Sequence, residues 1–165
     1  MFVDEVVMKV EAGTGGNGCM AFRREACVPM GGPFGGNGGK GSDIIFKADE
    51  GLKTLIDLRY QKKIKGNNGE NGEGKNKFGS NSEDVIIKVP VGTTVKDAYT
   101  GVVIAYLTKQ GEMATIAYGG RGGRGNVSLA TRSNPCPSYA EKGEPGEVRN
   151  IKVELRMIAD VGLVG

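Results

Sequence analysis

GGPFGGNGGKG, residues 31–41, decides the fold, because Gly32, Gly35, Gly38 and Gly41 fall in a strict three-residue period. That period belongs to polyproline II, a helix with three residues per turn and no internal hydrogen bonds, in which glycine lets a second backbone pack where a Cβ would collide. The spacing recurs at Gly13/Gly16 and Gly15/Gly18, at Gly66/Gly69/Gly72, at Gly119/Gly122/Gly125 with Gly120/Gly123, and at Gly143/Gly146. Two readings compete: a bundle of short rods bonded to one another, or flexible Gly-rich linker. Fixing a glycine backbone costs roughly 0.5 to 1 kcal/mol relative to alanine. Only a dense inter-rod network, at about 1 kcal/mol net per hydrogen bond, offsets that over many glycines. Linkers have no reason to keep phase in separated places, so the phase predicts ordered rods.

The 165 residues have room for one or two small domains with a real core. The 29 glycines far exceed the usual share of about 7%, while only 6 prolines and short runs exclude collagen. No apolar run approaches the ~18 residues of a membrane span, and MFVDEVVMKV carries acidic residues where a signal peptide carries basic ones, so a cytoplasmic protein is expected. Cys19, Cys27 and Cys136 are odd in number and irregular in spacing, which reads as incidental thiols rather than a disulfide framework. With no histidine, neither a Cys/His zinc site nor a histidine-based triad can be built from this chain, and its scattered carboxylates form no visible pair. No catalytic residue is therefore assigned, and no metal site.

Charge is unevenly distributed. Residues 23–42, 59–79 and 119–150 together hold 14 basic and 6 acidic residues, or +8, which leaves −5 elsewhere in a chain of net +3. Positive charge following the Gly-rich segments suggests that one end of the molecule meets a polyanion.

Taken in order, residues 2–12 read as a half-buried strand with Val6, Met8 and Val10 on one face. CMAFRREACVPM interrupts the first two Gly-rich segments as a tongue, and its paired Arg23 and Arg24 suit bidentate phosphate contacts. DIIFKADEGLKTLIDL reads as two strands, the second ending near Leu58. RYQKKIK, with Arg59, Lys62, Lys63 and Lys65, leads into a Gly-rich excursion bearing Lys75 and Lys77, and is read as reaching phosphates. DVIIKVPVG, TTVKDA, VVIAYL and MATIAY are short strands separated by turns, predicting a small antiparallel barrel or sandwich as base. EVRNIKVELRM gives the last strand, with Ile151, Val153, Leu155 and Met157 on one face. IADVGLVG, apolar without alternation, reads as the start of a buried parallel strand.

The order MFVDEV, GGNGCMAFRRE, VPMGGPFGGNGGKG, TLIDLRY, NGENGEGKNKFG, VIIKVPVGT, GGRGGRGN, EKGEPGE and VELRMIADVGLVG resembles the N-terminal domain of the Obg family of bacterial GTPases, over essentially the whole chain. It departs locally, at Phe78, where the family often carries a basic residue or histidine, and in YQKKIK. The resemblance implies a bundle of polyproline II helices on a small β-barrel over residues 1–158. It also implies that 159–165 begin a Ras-like GTPase domain, with Gly165 the first glycine of a phosphate-binding loop. GTP or GDP and Mg2+ are implied for the longer protein and no cofactor for these residues, which lack the loop lysine and magnesium-binding hydroxyl and so are not expected to hydrolyse GTP. Similar proteins act in large ribosomal subunit assembly and in stress and growth control, with the Gly-rich tips near the peptidyl-transferase centre. Carried onto this chain, the tips are residues 23–33, 72–79 and 132–137.

The resulting expectation is a monomeric ribosomal RNA-binding arm, using Arg23, Arg24, Lys75, Lys77 and Arg132, with Gly32, Gly35, Gly38, Gly41, Gly69, Gly72, Gly122 and Gly125 as structural glycines. Its partners would be the large ribosomal subunit and its RNA, with stress-response proteins as further candidates. The alternatives are a scaffold that binds partner proteins through the flat rods, and a disordered RGG-type tract at GGRGGRG.

Overall fold

Alternating apolar side chains make β1 (Val3–Glu11), which turns Val6, Met8 and Val10 into the core and leaves Val7 exposed. The computed structural model describes residues 3–23 and 31–156. Within them β1 is followed by β2 (Ile44–Ala48), a single helical turn α1 (Ile56–Arg59), β3 (Lys63–Lys65), β4 (Val85–Val89), β5 (Thr93–Asp97), β6 (Val103–Leu107), β7 (Met113–Ala117), a second turn α2 (Asn126–Leu129) and β8 (Val148–Arg156). The eight strands form two sheets, β3-β1-β8-β5-β6 and β4-β2-β7.

Both sheets are mixed, not antiparallel throughout. β3 runs parallel to β1, pairing Ile64 with Val10, and β4 runs parallel to β2, pairing Ile45 with Ile86. Among the described residues no closed barrel forms. The parallel pairs arise because long connections, not tight hairpins, join the partners: a Gly-rich excursion and β2 lie between β1 and β3, and α1, β3 and a second Gly-rich excursion lie between β2 and β4. One core lies between the sheets: Val10, Ile44, Phe46, Val89, Val95, Ile116, Ile151 and Val153 are buried in a single cluster.

The strand expected to end near Leu58 is instead a turn leading into α1. Leu55 and Leu58, three apart, are both buried, which is the spacing of one face of a helix. Buried Asp4 of β1 holds the turn, accepting hydrogen bonds from the Leu55 N–H at 2.8 Å and the Thr54 hydroxyl at 2.9 Å, and pairing with the Arg59 guanidinium. Burial pushes the Asp4 carboxyl up, but these bonds outweigh it and hold its pKa below the ordinary value.

The last strand inserts Ile151, Val153 and Leu155 into the core as its alternation requires. Met157, the apolar run 158–165 with Gly165, Arg24 and Cys27 lie outside the described residues. Cys19 and Cys136 are free, half-buried thiols.

Between the strands run stretches with neither helix nor ladder: 12–20, 34–43, 66–72, 78–84, 118–125 and 139–147. Each joins the base at one end, at Glu11, Ile44, Lys65, Val85, Ala117 or Val148. Together they form the Gly-rich part of the molecule.

Candidate nucleic-acid interface

The Gly-rich stretches bond to one another in a three-residue rhythm. Along 12–19 the N–H groups of Ala12, Gly15 and Gly18 donate to the carbonyls of Glu147, Glu144 and Glu141, while those of Gly13, Gly16 and Cys19 donate to Ser42, Gly39 and Gly36. The third set, Thr14 and Asn17, donates to the side-chain oxygens of Asn68 and Asn71. Each residue thus faces a different neighbour, and the partner returns at every third position. The tract 119–125 belongs to the same network: Gly120 and Gly123 donate to Gly13 and Gly16, and Gly119 and Gly125 to the side chains of Asp43 and Asn37. GGRGGRG is therefore an ordered segment.

Contact between the backbones leaves no room for side chains. A Cβ placed on Gly35, Gly38, Gly41, Gly69, Gly72, Gly122 or Gly125 would stand between 1.9 and 2.3 Å from a carbonyl oxygen of another segment. Gly32 differs, since nothing lies within 4 Å of a Cβ there. It sits beyond the packed part of its segment, at the tip.

Asparagine plays a part that sequence reasoning missed. Asn68, Asn71, Asn81, Asn37 and Asn17 present Oδ1 to the N–H of Thr14, Asn17, Lys40, Gly125 and Gly143. They take over the acceptor role that backbone carbonyls play elsewhere in the network. The signal was present as the recurrent Gly-Asn and Asn-Gly pairs lying in phase with the glycines.

At the pole away from the base the described residues of the three expected tongues bond to one another. In the first, Arg23 N–H donates to Gly32 O and Phe34 N–H to Ala21 O, and the Arg23 guanidinium lies 5.1 Å from the centre of the Phe34 ring. In the second, Glu73 and Lys77 bridge a tight turn in which Lys75 and Asn76 have φ of 63° and 57°, and the Asn76 N–H donates to Phe34 O. The third, after α2, is pinned by Asn134 N–H to the Thr131 hydroxyl and reaches the first through the Cys136 thiol, 3.5 Å from Gly31 O.

Buried Asn126 is the knot of this pole. Its Oδ1 accepts from Gly35 N–H at 2.8 Å, and its Nδ2 donates to Ala21 O at 2.9 Å and Pro137 O at 3.2 Å. Its own N–H, donating to Cys19 O, continues the 120, 123, 126 series. That series leads straight into α2, so the asparagine's place follows from the rhythm.

Arg23, Lys75, Lys77 and Arg132 lie on these loops and are all exposed. Other basic residues go elsewhere. Arg121 and Arg124 pair with Glu144 and Glu141, the latter through two bonds of 2.9 and 3.0 Å. The Arg124 side chain and N–H hold the Glu141 carboxyl down to about 2, against an ordinary 4.5. The basic stretch after Leu58 lies at the base: Arg59 pairs with Asp4, and Lys63, in edge strand β3, pairs with Glu11. Among the described residues no three metal-ligating side chains gather, and no helix is long and apolar enough to cross a membrane.

A base of two mixed β-sheets joined to Gly-rich segments that bond backbone to backbone, with exposed basic loops between them, defines the class of domain. The family model described as GTP1/OBG matches residues 3–157. Among curated relatives, the GTPase Obg of Geobacillus kaustophilus is 60% identical over all 165 residues, that of Persephonella marina 57% over 164, and that of Staphylococcus aureus 54% over 165. This chain belongs to the GTP1/OBG family. It spans 38%, 48% and 38% of the lengths of those relatives, so it matches one part of them.

Proposed function

We propose that this chain is the ribosome-binding arm of an Obg-type GTPase that acts in large ribosomal subunit assembly and in stress and growth control. The observation that carries the proposal is the convergence of three tongues, bearing Arg23, Lys75, Lys77 and Arg132, at the pole opposite the base. In this reading the Gly-rich stretches are polyproline II rods, a reading supported by the return of hydrogen-bond partners at every third residue. A rod from Ala12 to Cys19 then reaches about 25 Å at roughly 3.1 Å per residue. Stiff rods of that length would carry the basic loops into an RNA-lined channel near the peptidyl-transferase centre. Phosphate contacts there position the domain.

The rest of the proposal concerns the parent protein, as a monomer in the cytoplasm. Its GTP or GDP and Mg2+ belong to the length beyond this chain, into which 159–165 lead, with Gly165 as the first phosphate-loop glycine. Arg24 joins the RNA-binding set.

The test is sedimentation with purified large subunits over a salt series. Binding is expected to fall steeply with salt, and the slope to flatten when Lys75, Lys77 and Arg132 are changed together to alanine. Salt-indifferent binding refutes the proposal.

A second reading, a scaffold for partner proteins, is favoured by one feature. An open groove of about 580 Å3 runs beside the rods, lined by Thr14, Asn17, Asn68, Asn71, Glu70 and Glu73. Its polar, partly acidic walls suit an extended peptide better than a phosphate backbone. Salt-insensitive capture abolished by changes in the groove, with the basic loops dispensable, would establish it.

A further inference from the structure

Phe78 is 61% exposed at the end of the second tongue, directly after Lys77. A large apolar ring is an unusual choice for a loop whose neighbours are charged, and the core makes no use of it. Its seat is well defined. The Phe78 Cδ1 atom lies 2.9 Å from where a Cβ on Gly36 would stand, so the ring rests against bare backbone. Gly36 is itself tied down, donating its N–H to Glu73 O at 3.0 Å and accepting from Cys19 N–H at 2.9 Å.

The preceding turn holds Lys75 at a φ of 63°, which residues with a Cβ rarely adopt, and Asn76 at 57°. The Asn76 N–H bond to Phe34 O fixes that turn to the first tongue. Phe34 already carries a cation over its ring, that of Arg23. Phe78 therefore offers a supported, exposed π-surface, and Lys75 and Lys77, both exposed, stand three and one residues before it in a turn fixed by backbone bonds.

We propose that Phe78 is a stacking platform for an unpaired RNA base, and that Lys75 and Lys77 hold the phosphates flanking that nucleotide. The inference rests on the RNA-binding reading above and deepens it: the arm selects single-stranded nucleotides instead of meeting RNA by charge alone. Every base has a π-face, so stacking distinguishes unpaired from paired RNA without reading sequence. In a duplex the base faces are already occupied by their neighbours.

The absence of tryptophan from the chain gives a direct reporter. In F78W the only indole sits at the proposed platform. An unstructured RNA dodecamer is expected to quench its emission at low salt, and a blunt duplex of the same composition is not. F78A should weaken dodecamer binding roughly tenfold. F78Y should bind as the parent does. F78L, which keeps apolar contact with Gly36 but has no ring, should behave as F78A. Unchanged glycine amide exchange in F78A and F78L confirms that the bundle is intact.

Equal binding by parent, F78A and F78L, with K75A/K77A still weakened, overturns the platform and leaves the electrostatic arm standing. Equal quenching by dodecamer and duplex overturns it too. If K75A/K77A and the triple variant with R132A leave large-subunit binding unchanged, the RNA-binding reading itself fails, and the platform with it.

Discussion

At Gly38 a Cβ would stand 2.0 Å from Gly16 O, and at Gly35 1.9 Å from Cys19 O, and in both cases the obstacle is backbone that is itself hydrogen-bonded. Neither neighbour can move without breaking the rhythm. Gly35→Ala and Gly38→Ala are each expected to cost about 3 kcal/mol or more, the upper end of overpacking penalties. Gly32, with open space around it, supplies the control: Gly32→Ala is expected to be neutral or to stabilise by a few tenths of a kcal/mol through the unfolded chain. Urea denaturation of the three variants checks the contrast, and a Gly38→Ala protein as stable as Gly32→Ala would refute it. Buried Asp4 makes a second test at this scale. Asp4→Ala leaves the Leu55 N–H and the Thr54 hydroxyl without their acceptor, with an expected loss of about 2 to 4 kcal/mol in the same measurement.

Between segments, the pair formed by 118–125 and 139–147 combines backbone bonds with a two-bond Arg124–Glu141 contact. Because the Glu141 carboxyl is held down to about 2 in the fold and returns to about 4.5 on unfolding, its contribution is fully present above pH 4.5. It is lost as pH falls toward 2. Carboxyl titration by NMR is expected to place Glu141 well below the ordinary glutamate value, and Glu141→Gln should speed exchange of the Arg124 amide at neutral pH while flattening its dependence below pH 4.5. A Glu141 titrating at an ordinary glutamate value would contradict the geometry. The strands other than β3, which lies in the basic stretch read as reaching phosphates, and the glycine phase were readable in the sequence because both rest on strict periods, two and three residues, that survive in a one-dimensional string. The turn at Leu55–Leu58 was not, since a buried aspartate fifty residues away decides it. The mixed pairing escaped for a similar reason: the direction in which the chain returns from an excursion leaves no local mark. The exposure of Lys75, Lys77 and Arg132 was suggested by their place in the tongues. The placement of Arg59 and Lys63 at the base depended on partners, Asp4 and Glu11, that only the folded chain brings near.

Across the whole molecule, the two parts are stabilised in different ways. The bundle is held by backbone and asparagine hydrogen bonds, whereas the apolar core lies between the two sheets. Each net hydrogen bond stabilises by about 1 kcal/mol, comparable to the entropy that each fixed glycine loses, so the bundle has little stability of its own. What favours it is the base, which brings six segment ends together at one side and removes most of the entropy of assembling them. The bundle and base should therefore unfold as one unit. Val153, fully buried in β8 and paired to Val6 and Val95, is remote from every glycine-rich contact, and Val153→Ala should destabilise the base by about 2 kcal/mol. Amide exchange in the bundle, read at Gly16, Gly38, Gly120 and Gly123, is expected to accelerate by the factor that this free energy dictates, roughly thirtyfold, even though none of those bonds is touched. If the four glycine amides instead keep the protection of the parent protein while the core strands lose theirs, the bundle stands by itself, and the dependence of the arm on its base is wrong.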